Sequence, residues 1–216
     1  LEYVETSFKG KISFTNKKLS GFDAVIATGS NNTARYFEYY FKNKPNIIRK
    51  NRNSVAILTG NETKEQLIDL SEDIFRYFGL GCRSVSKLFV PKGYDFQDFF
   101  GGMYGKSDIM DTAKYANNYD YNKAVYLMSL FDILENGFLM IKEDTQYASP
   151  IATVFYEYYE DIEVLKEKLQ ADADEIQCIV SDINLENEVK FGQTQQPALH
   201  DYADGVDTLE FLSQLS

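Results

Sequence analysis

Histidine and cysteine are nearly absent from this 216-residue chain, and both absences narrow its chemistry. A single histidine, His200, leaves any Ser-His or Cys-His dyad one possible base and excludes a metal site built from several histidines. Two cysteines, Cys82 and Cys178, are too few for a disulfide scaffold and read as reduced thiols of a cytoplasmic protein. Cations are also scarce. With 22 Lys+Arg against 33 Asp+Glu the formal charge is −11, which argues against a general nucleic-acid binder, so any anionic ligand must be met locally. Long apolar runs are missing too: stretches such as Ala124 to Leu134 are broken well short of the ~20 residues a membrane span needs. No signal-peptide pattern opens the chain. Leu1 stands inside what reads as ordinary folded sequence, so a fragment of a longer polypeptide is expected.

What is present is a globular composition, 44% hydrophobic and 25% charged, in a chain long enough to bury a sizeable core. Phe22 to Thr28 is a short apolar run ending in Gly29-Ser30, after which Phe37, Tyr40 and Phe41 recur at helical spacing. Pro45 stops that helix. Asn53 to Leu58 is a second apolar run. Thr63 followed by Gln66 has the form of a capping box, and Leu67, Leu70, Ile74 and Phe78 share one face of the helix it starts. Gly79 and Gly81 end the helix and place Cys82 in a loop; Lys87 to Val90 reads as a strand. From Tyr94 to Met140 the pattern is mostly helical. Ile151 to Tyr156 is a strand, Asp161 caps a helix with Ile162, Leu165 and Leu169 inward, and Ile176 to Val180 is another strand. Thr208 to Leu215 forms a short terminal helix. This rhythm predicts an α/β layer, a mainly parallel three-layer sheet with helices on both faces.

Cys82 is the sharpest chemical candidate, because the bend Gly79-Leu-Gly81 presents it rather than packing it; the competing reading is a small buried hydrophobe. Arg83 next to it could favour the thiolate. Cys178, inside an apolar strand, reads as core. Thr28 to Thr33 is a strand-to-helix turn whose free amides could meet an anion, although Ser30 or Asn31 serves equally as a plain helix cap. Lys42, Lys44, Arg49, Lys50 and Arg52 form an acid-free run, either a local phosphate patch or a solvated loop. His200 with Asp201 invites a base-plus-orienter reading against that of a surface histidine. Tyr156, Tyr158 and Tyr159 with Glu157 and Glu160 read as a strand end with a solvated face. No metal-ligand spacing appears.

Taken together, Ser54-Val-Ala-Ile-Leu58, the helix to Phe78, Gly79-Leu-Gly-Cys82-Arg-Ser and Ser86-Lys-Leu-Phe-Val-Pro91 resemble the aldehyde dehydrogenase superfamily, whose cysteine lies in a "Gly-x-x-Cys-x-x-x-Ser-Arg-x-x-Val" run. Phe22 to Thr33 is similar to that family's "Phe-Thr-Gly-Ser-Thr" strand-turn-helix, and Ser149-Pro-Ile-Ala-Thr-Val154 to its "Gly-Pro-Val" strand. Phe191-Gly-Gln-Thr-Gln-Gln-Pro197 and Tyr202-Ala-Asp-Gly-Val-Asp-Thr208 resemble the tail of one branch, the acyl-CoA reductases of the bioluminescence fatty-acid-reductase type, which many bacteria carry. Where aldehyde-oxidising members carry the general base of a "Glu-Leu-Gly-Gly-Lys" run, this chain reads Ile48-Arg-Lys-Asn-Arg52, without an acid.

The resemblance implies an aldehyde-dehydrogenase-like catalytic domain. Residues 1–45 would be the end of a nicotinamide-cofactor domain, 46–190 the cysteine-bearing domain and 191–216 a tail. It implies that Cys82 takes an acyl group from acyl-CoA or an acyl-carrier thioester, and that NADPH or NADH reduces the bound thioester to an aldehyde. Gly29 and Ser30 would be minor cofactor contacts. Such a fragment is expected to fold with little activity alone, and superfamily members commonly dimerise, so a homodimer is possible. Two other readings stand beside this one: a non-catalytic α/β interaction or scaffold module with Cys82 as packing, and hydrolytic acyl transfer with His200 as base, which requires His200 within reach of Cys82.

Overall fold

The computed structural model describes residues 3–185 and 188–215; Leu1 lies outside them. Contacts divide the chain into two compact units, Leu1–Lys50 with Asp207–Ser216, and Asn51–Val206. The sequence reading sets its boundaries at 45/46 and 190/191. Contacts instead keep residues 46–50 in the first unit and split the tail, 191–206 staying with the second unit and 207–216 joining the first.

The first unit is a β-α-β element. Strand β1 (Val25–Thr28) leads through Gly29 into helix α1 (Asn31–Phe41) and back to β2 (Asn46–Arg49), paired parallel to β1 from Val25↔Asn46 to Thr28↔Arg49. Phe22 and Phe37 both pack against Phe41, with ring centroids 5.6 and 5.8 Å away. The basic run is therefore partly a strand, not a solvated loop. Its cations also have partners: Lys50 pairs with Glu38 at 2.7 Å, and the Arg49 guanidinium donates to Thr208 Oγ1 at 3.1 Å.

The second unit carries β3 (Asn53–Ile57), α2 (Lys64–Phe75), β4 (Val85–Pro91), α3 (Gln97–Met103), α4 (Ala113–Met128), β5 (Ile133–Glu135), β6 (Met140–Glu143), β7 (Thr153–Tyr159), α5 (Ile162–Ala171) and β8 (Ile176–Val180). Helix α6 (Thr208–Ser213) belongs to the first unit. The six strands of the second unit lie in the order β5-β6-β7-β4-β3-β8, parallel except for the β5–β6 hairpin. Successive side chains of a strand face opposite ways, and both faces are covered, which is why β3 and β4 read as nearly continuous apolar runs. Ala56, Leu88 and Val90 pack under α2, α3 and α4 through Leu67, Leu70, Phe99, Met103 and Tyr115. Val55, Ile57 and Phe89 pack under α5 through Leu165 and Leu169. Helices thus lie on both faces of a mainly parallel sheet. Gly102 makes the α2–α3 approach possible, since a Cβ there would lie 2.6 Å from Leu67 Cβ. No helix among the described residues is long and apolar enough to cross a membrane.

The stretch to Met140 is mostly helical as far as Met128, where α4 ends and the chain turns into β5 and β6. The Tyr156–Glu160 cluster does close β7, with Tyr158 and Glu160 exposed, but its face is not solvated throughout. Glu157 is tied into the interior by Lys87, whose ammonium is fully buried, donates to Glu157 Oε2 at 2.6 Å and to the Asp144 carbonyl at 2.9 Å, and sits 5.1 Å from the Phe89 ring centroid.

Candidate active site around Cys82

The site is built from the end of α2. Thr63 and Gln66 close the capping box that starts this helix, each side chain bonding the other residue's backbone N–H. The helix stops at Phe75, earlier than the glycines alone imply. Tyr77 and Phe78 then take left-handed backbone angles (φ 56° and 61°) ahead of Gly79 (φ 71°), so Phe78 leaves the inward face and is substantially exposed. An open cleft of about 280 Å³ flanks this bend, lined by Phe75, Arg76, Tyr77, Phe78, Lys106 and Ile109 among others.

Cys82 follows on a tight turn, Gly81 to Ser84, closed by the Ser84 amide donating to the Gly81 carbonyl at 2.9 Å. Cys82 and Arg83 occupy the two corners, where their own amides are not used by the closing bond. The Cys82 side of the turn is exposed. Beneath it the polar groups are buried or half-buried, and partnered. Ser54 Oγ, on β3, donates to the Cys82 carbonyl at 2.9 Å, and Gln195 Nε2 reaches Ser84 Oγ at 3.5 Å. Arg83 Nε donates to the Thr194 carbonyl. Cys178, on β8, is buried as expected, and burial pushes its thiol up from the ordinary range. The two thiols therefore differ in kind: one presented, one sealed.

The remaining candidates fall elsewhere. Gly29 and Ser30 lie in the first unit, Cys82 in the second. Ser30 is the N-cap of α1; its hydroxyl accepts from the Thr33 amide at 3.3 Å and lies 3.0 Å from Thr33 Oγ1. A Cβ at Gly29 would press on Thr33 at 3.0 Å, so the glycine keeps the turn tight. His200 is exposed, and the Asp201 carboxylate is engaged by the Ala198 amide at 2.9 Å. Among the described residues no direct hydrogen bond joins the His200 ring to Asp201 or to Cys82. Arg52 donates to the Ala173 carbonyl at 2.6 Å and pairs with Asp204 at 3.6 Å. Folding thus does bring acids, Glu38 and Asp204, to the cationic Arg49–Arg52 stretch, but each is paired with one of its cations.

Sequence reasoning missed Asp73, Ser54 and Thr194. Asp73 had a signal: it stands three residues after Leu70, at an inward position of α2, where an acid is out of place unless something binds it. Ser54 and Thr194 had none, because their partners are distant in sequence.

No protein-family model matches the chain, and no curated protein does either. Solved structures do resemble it. Indole-3-acetaldehyde dehydrogenase in complex with NAD+ superposes with a TM-score of 0.51 at 13% identity, over 76% of this chain and 41% of that one. The aldehyde dehydrogenase KauB from Pseudomonas aeruginosa gives 0.51 at 14%, over 76% and 41%. A proline utilization A mutant from Bradyrhizobium japonicum gives 0.51 at 19%, over 74% and 20%. The chain thus spans about two fifths of the first two and one fifth of the third. Its mixed α/β fold with a mainly parallel sheet is one that aldehyde dehydrogenases share.

Proposed function

We propose that this chain is the cysteine-bearing part of an NAD(P)H-dependent acyl-CoA reductase, an aldehyde-related oxidoreductase that works through a Cys82 thioester. The observation that carries this reading is the placing of Cys82, exposed at the corner of a turn whose underside is fixed by part-buried hydrogen bonds, in a fold of the aldehyde dehydrogenase kind. The Cys82 thiolate attacks the acyl carbonyl, a Cys82–acyl bond forms, the acyl–sulfur bond to coenzyme A breaks, and the carrier leaves as its thiol. The Cys82 and Arg83 amides are the donors best placed to hold the oxyanion. The run Ile48 to Arg52, where the resemblance would put the general base of aldehyde oxidation, contains no acid, which favours transfer between thiols over hydrolysis.

A nicotinamide cofactor is accommodated only at its periphery by the residues singled out for it. The first turn of α1 carries no acidic residue and suits an anionic group, while the Ser30 hydroxyl is already engaged and Gly29 is closely backed by Thr33. The Gly29 amide is already donated to the Arg49 carbonyl at 3.2 Å, so such a group would be held by the Ser30 amide and the first turn of α1, with Gly29 shaping the bend. When bound, the cofactor supplies the hydride that turns the thioester into an aldehyde.

Reading Cys82 as mere packing conflicts with its exposure. The test is labelling of the native protein with iodoacetamide and, separately, with a long-chain acyl-CoA, followed by peptide mass analysis. Cys82 should be modified by both at least tenfold faster than Cys178, and Cys82→Ser should abolish acylation. Equal, slow labelling of the two thiols would sink the assignment.

A further inference from the structure

The segment Phe191 to Gln195 lies across α2 like a strap, and its bonds run to the turn that carries Cys82. The Asp73 carboxylate, 1% exposed, accepts from the Gly192 amide at 2.7 Å, the Thr194 amide at 3.0 Å and Thr194 Oγ1 at 2.8 Å. The Thr194 carbonyl in turn accepts from Arg83 Nε, and Gln195 Nε2 reaches Ser84 Oγ. Asp73, Thr194, Ser84 and Ser54 are all nearly sealed from solvent. Buried polar groups of this sort cost free energy unless each finds a partner, and once all do, they hold one geometry rigidly. The strap is seated closely. A Cβ at Gly192 would lie 3.1 Å from Asp69 Cβ, and its φ of +78° belongs to the left-handed region.

A tail that merely docks on a helix would need the Asp73 bonds alone. Here the same residue, Thr194, faces both ways, with its amide and hydroxyl toward Asp73 and its carbonyl toward the guanidinium next to Cys82. We propose that Asp73 is a positioning residue for Cys82, acting through Thr194 and Arg83 to fix the Gly81–Ser84 turn in the geometry that acyl transfer requires. This rests on the reading of Cys82 as the nucleophile. Acyl transfer needs the sulfur and the oxyanion donors in register, whereas alkylation by iodoacetamide needs an accessible thiolate but no oxyanion donors, so the two reactions respond differently to a loosened turn.

The experiment uses the native protein with Thr194→Val, Thr194→Ser, Asp73→Asn and Arg83→Gln. Three readouts are taken: acylation of Cys82 by a long-chain acyl-CoA, its alkylation by iodoacetamide, and hydrogen exchange of the Ser84 amide. Thr194→Val, Asp73→Asn and Arg83→Gln should slow acylation by roughly tenfold or more while alkylation changes by less than about threefold, and should speed Ser84 exchange. Thr194→Ser, which keeps the hydroxyl, should restore acylation to within about threefold of the parent. Wild-type acylation rates in Thr194→Val and Arg83→Gln would overturn the proposal, as would equal loss of acylation and alkylation. Should Asp73→Asn not fold, Arg83→Gln, whose side chain is only partly buried, carries the test. Failure of the parent protein to be acylated counts against the functional reading instead. Ser84 exchange then decides the relay, and exchange unchanged in Arg83→Gln would overturn it.

Discussion

Lys87 is the most demanding residue in the molecule. A fully buried ammonium is tolerable only while its partners remain, and burial already pulls its proton affinity down against the pull of Glu157. Removing the acid leaves the charge uncompensated, so Glu157→Ala should destabilise the protein by about 3 kcal/mol in urea unfolding. The double change Lys87→Met with Glu157→Met should recover most of that loss, because an apolar pair of similar volume has no ionic desolvation to offset. The sequence showed this residue only as a lysine inside an apolar run. Cys82 was legible, since two glycines around a leucine leave few ways to bury the next residue. Asp73 was legible in principle and overlooked, and Thr194 could not be read because its role depends on a partner about 120 positions away.

At the level of elements, the α2–α3 contact sets the packing of one whole face of the sheet. Gly102→Ala places a methyl within 2.6 Å of Leu67 Cβ and 2.7 Å of its backbone, and backbone yields less readily than a flexible side chain. A loss of about 2 kcal/mol, read as a lower urea midpoint with unchanged slope, is the expected outcome. Helix α2 with its capping box, strands β3, β4, β7 and β8 and helix α5 were all readable, because each buries a strongly periodic face. Strand β2 was hidden by the charged run around it: only four residues long, with Arg49 its one charge, it pairs with β1 through the backbone, which any side chain permits. The β5–β6 hairpin was too short for periodicity. Its signal was Asn136-Gly137, where Asn136 Oδ1 accepts from the Leu139 amide at 2.9 Å and Gly137 takes φ +93°.

For the whole molecule, acid is the informative stress. In Glu135, Asp144 and Glu157 burial pushes the carboxyl up, but hydrogen bonds led by those from Lys123, Lys142 and Lys168 more than offset it and leave each below its ordinary value. A carboxyl whose folded value is depressed contributes stability above its unfolded value, and that contribution is lost as pH falls through the folded one. Asp73 has the opposite sign: burial raises it despite three donors, so its protonation favours the folded state as pH falls. Three groups against one predict a melting temperature that falls steadily once pH drops below the ordinary glutamate value of 4.5, with Glu157→Gln flattening the fall. A melting temperature that rose between pH 4.5 and 3 would contradict this.

Tyr77 and Phe78 hold backbone angles that residues with a β-carbon adopt at a cost of about 1–2 kcal/mol each, and their rings stand largely in water. Exchanging these two for glycine or asparagine would therefore relieve that strain and blunt the aromatic edge of the cleft while leaving the core untouched.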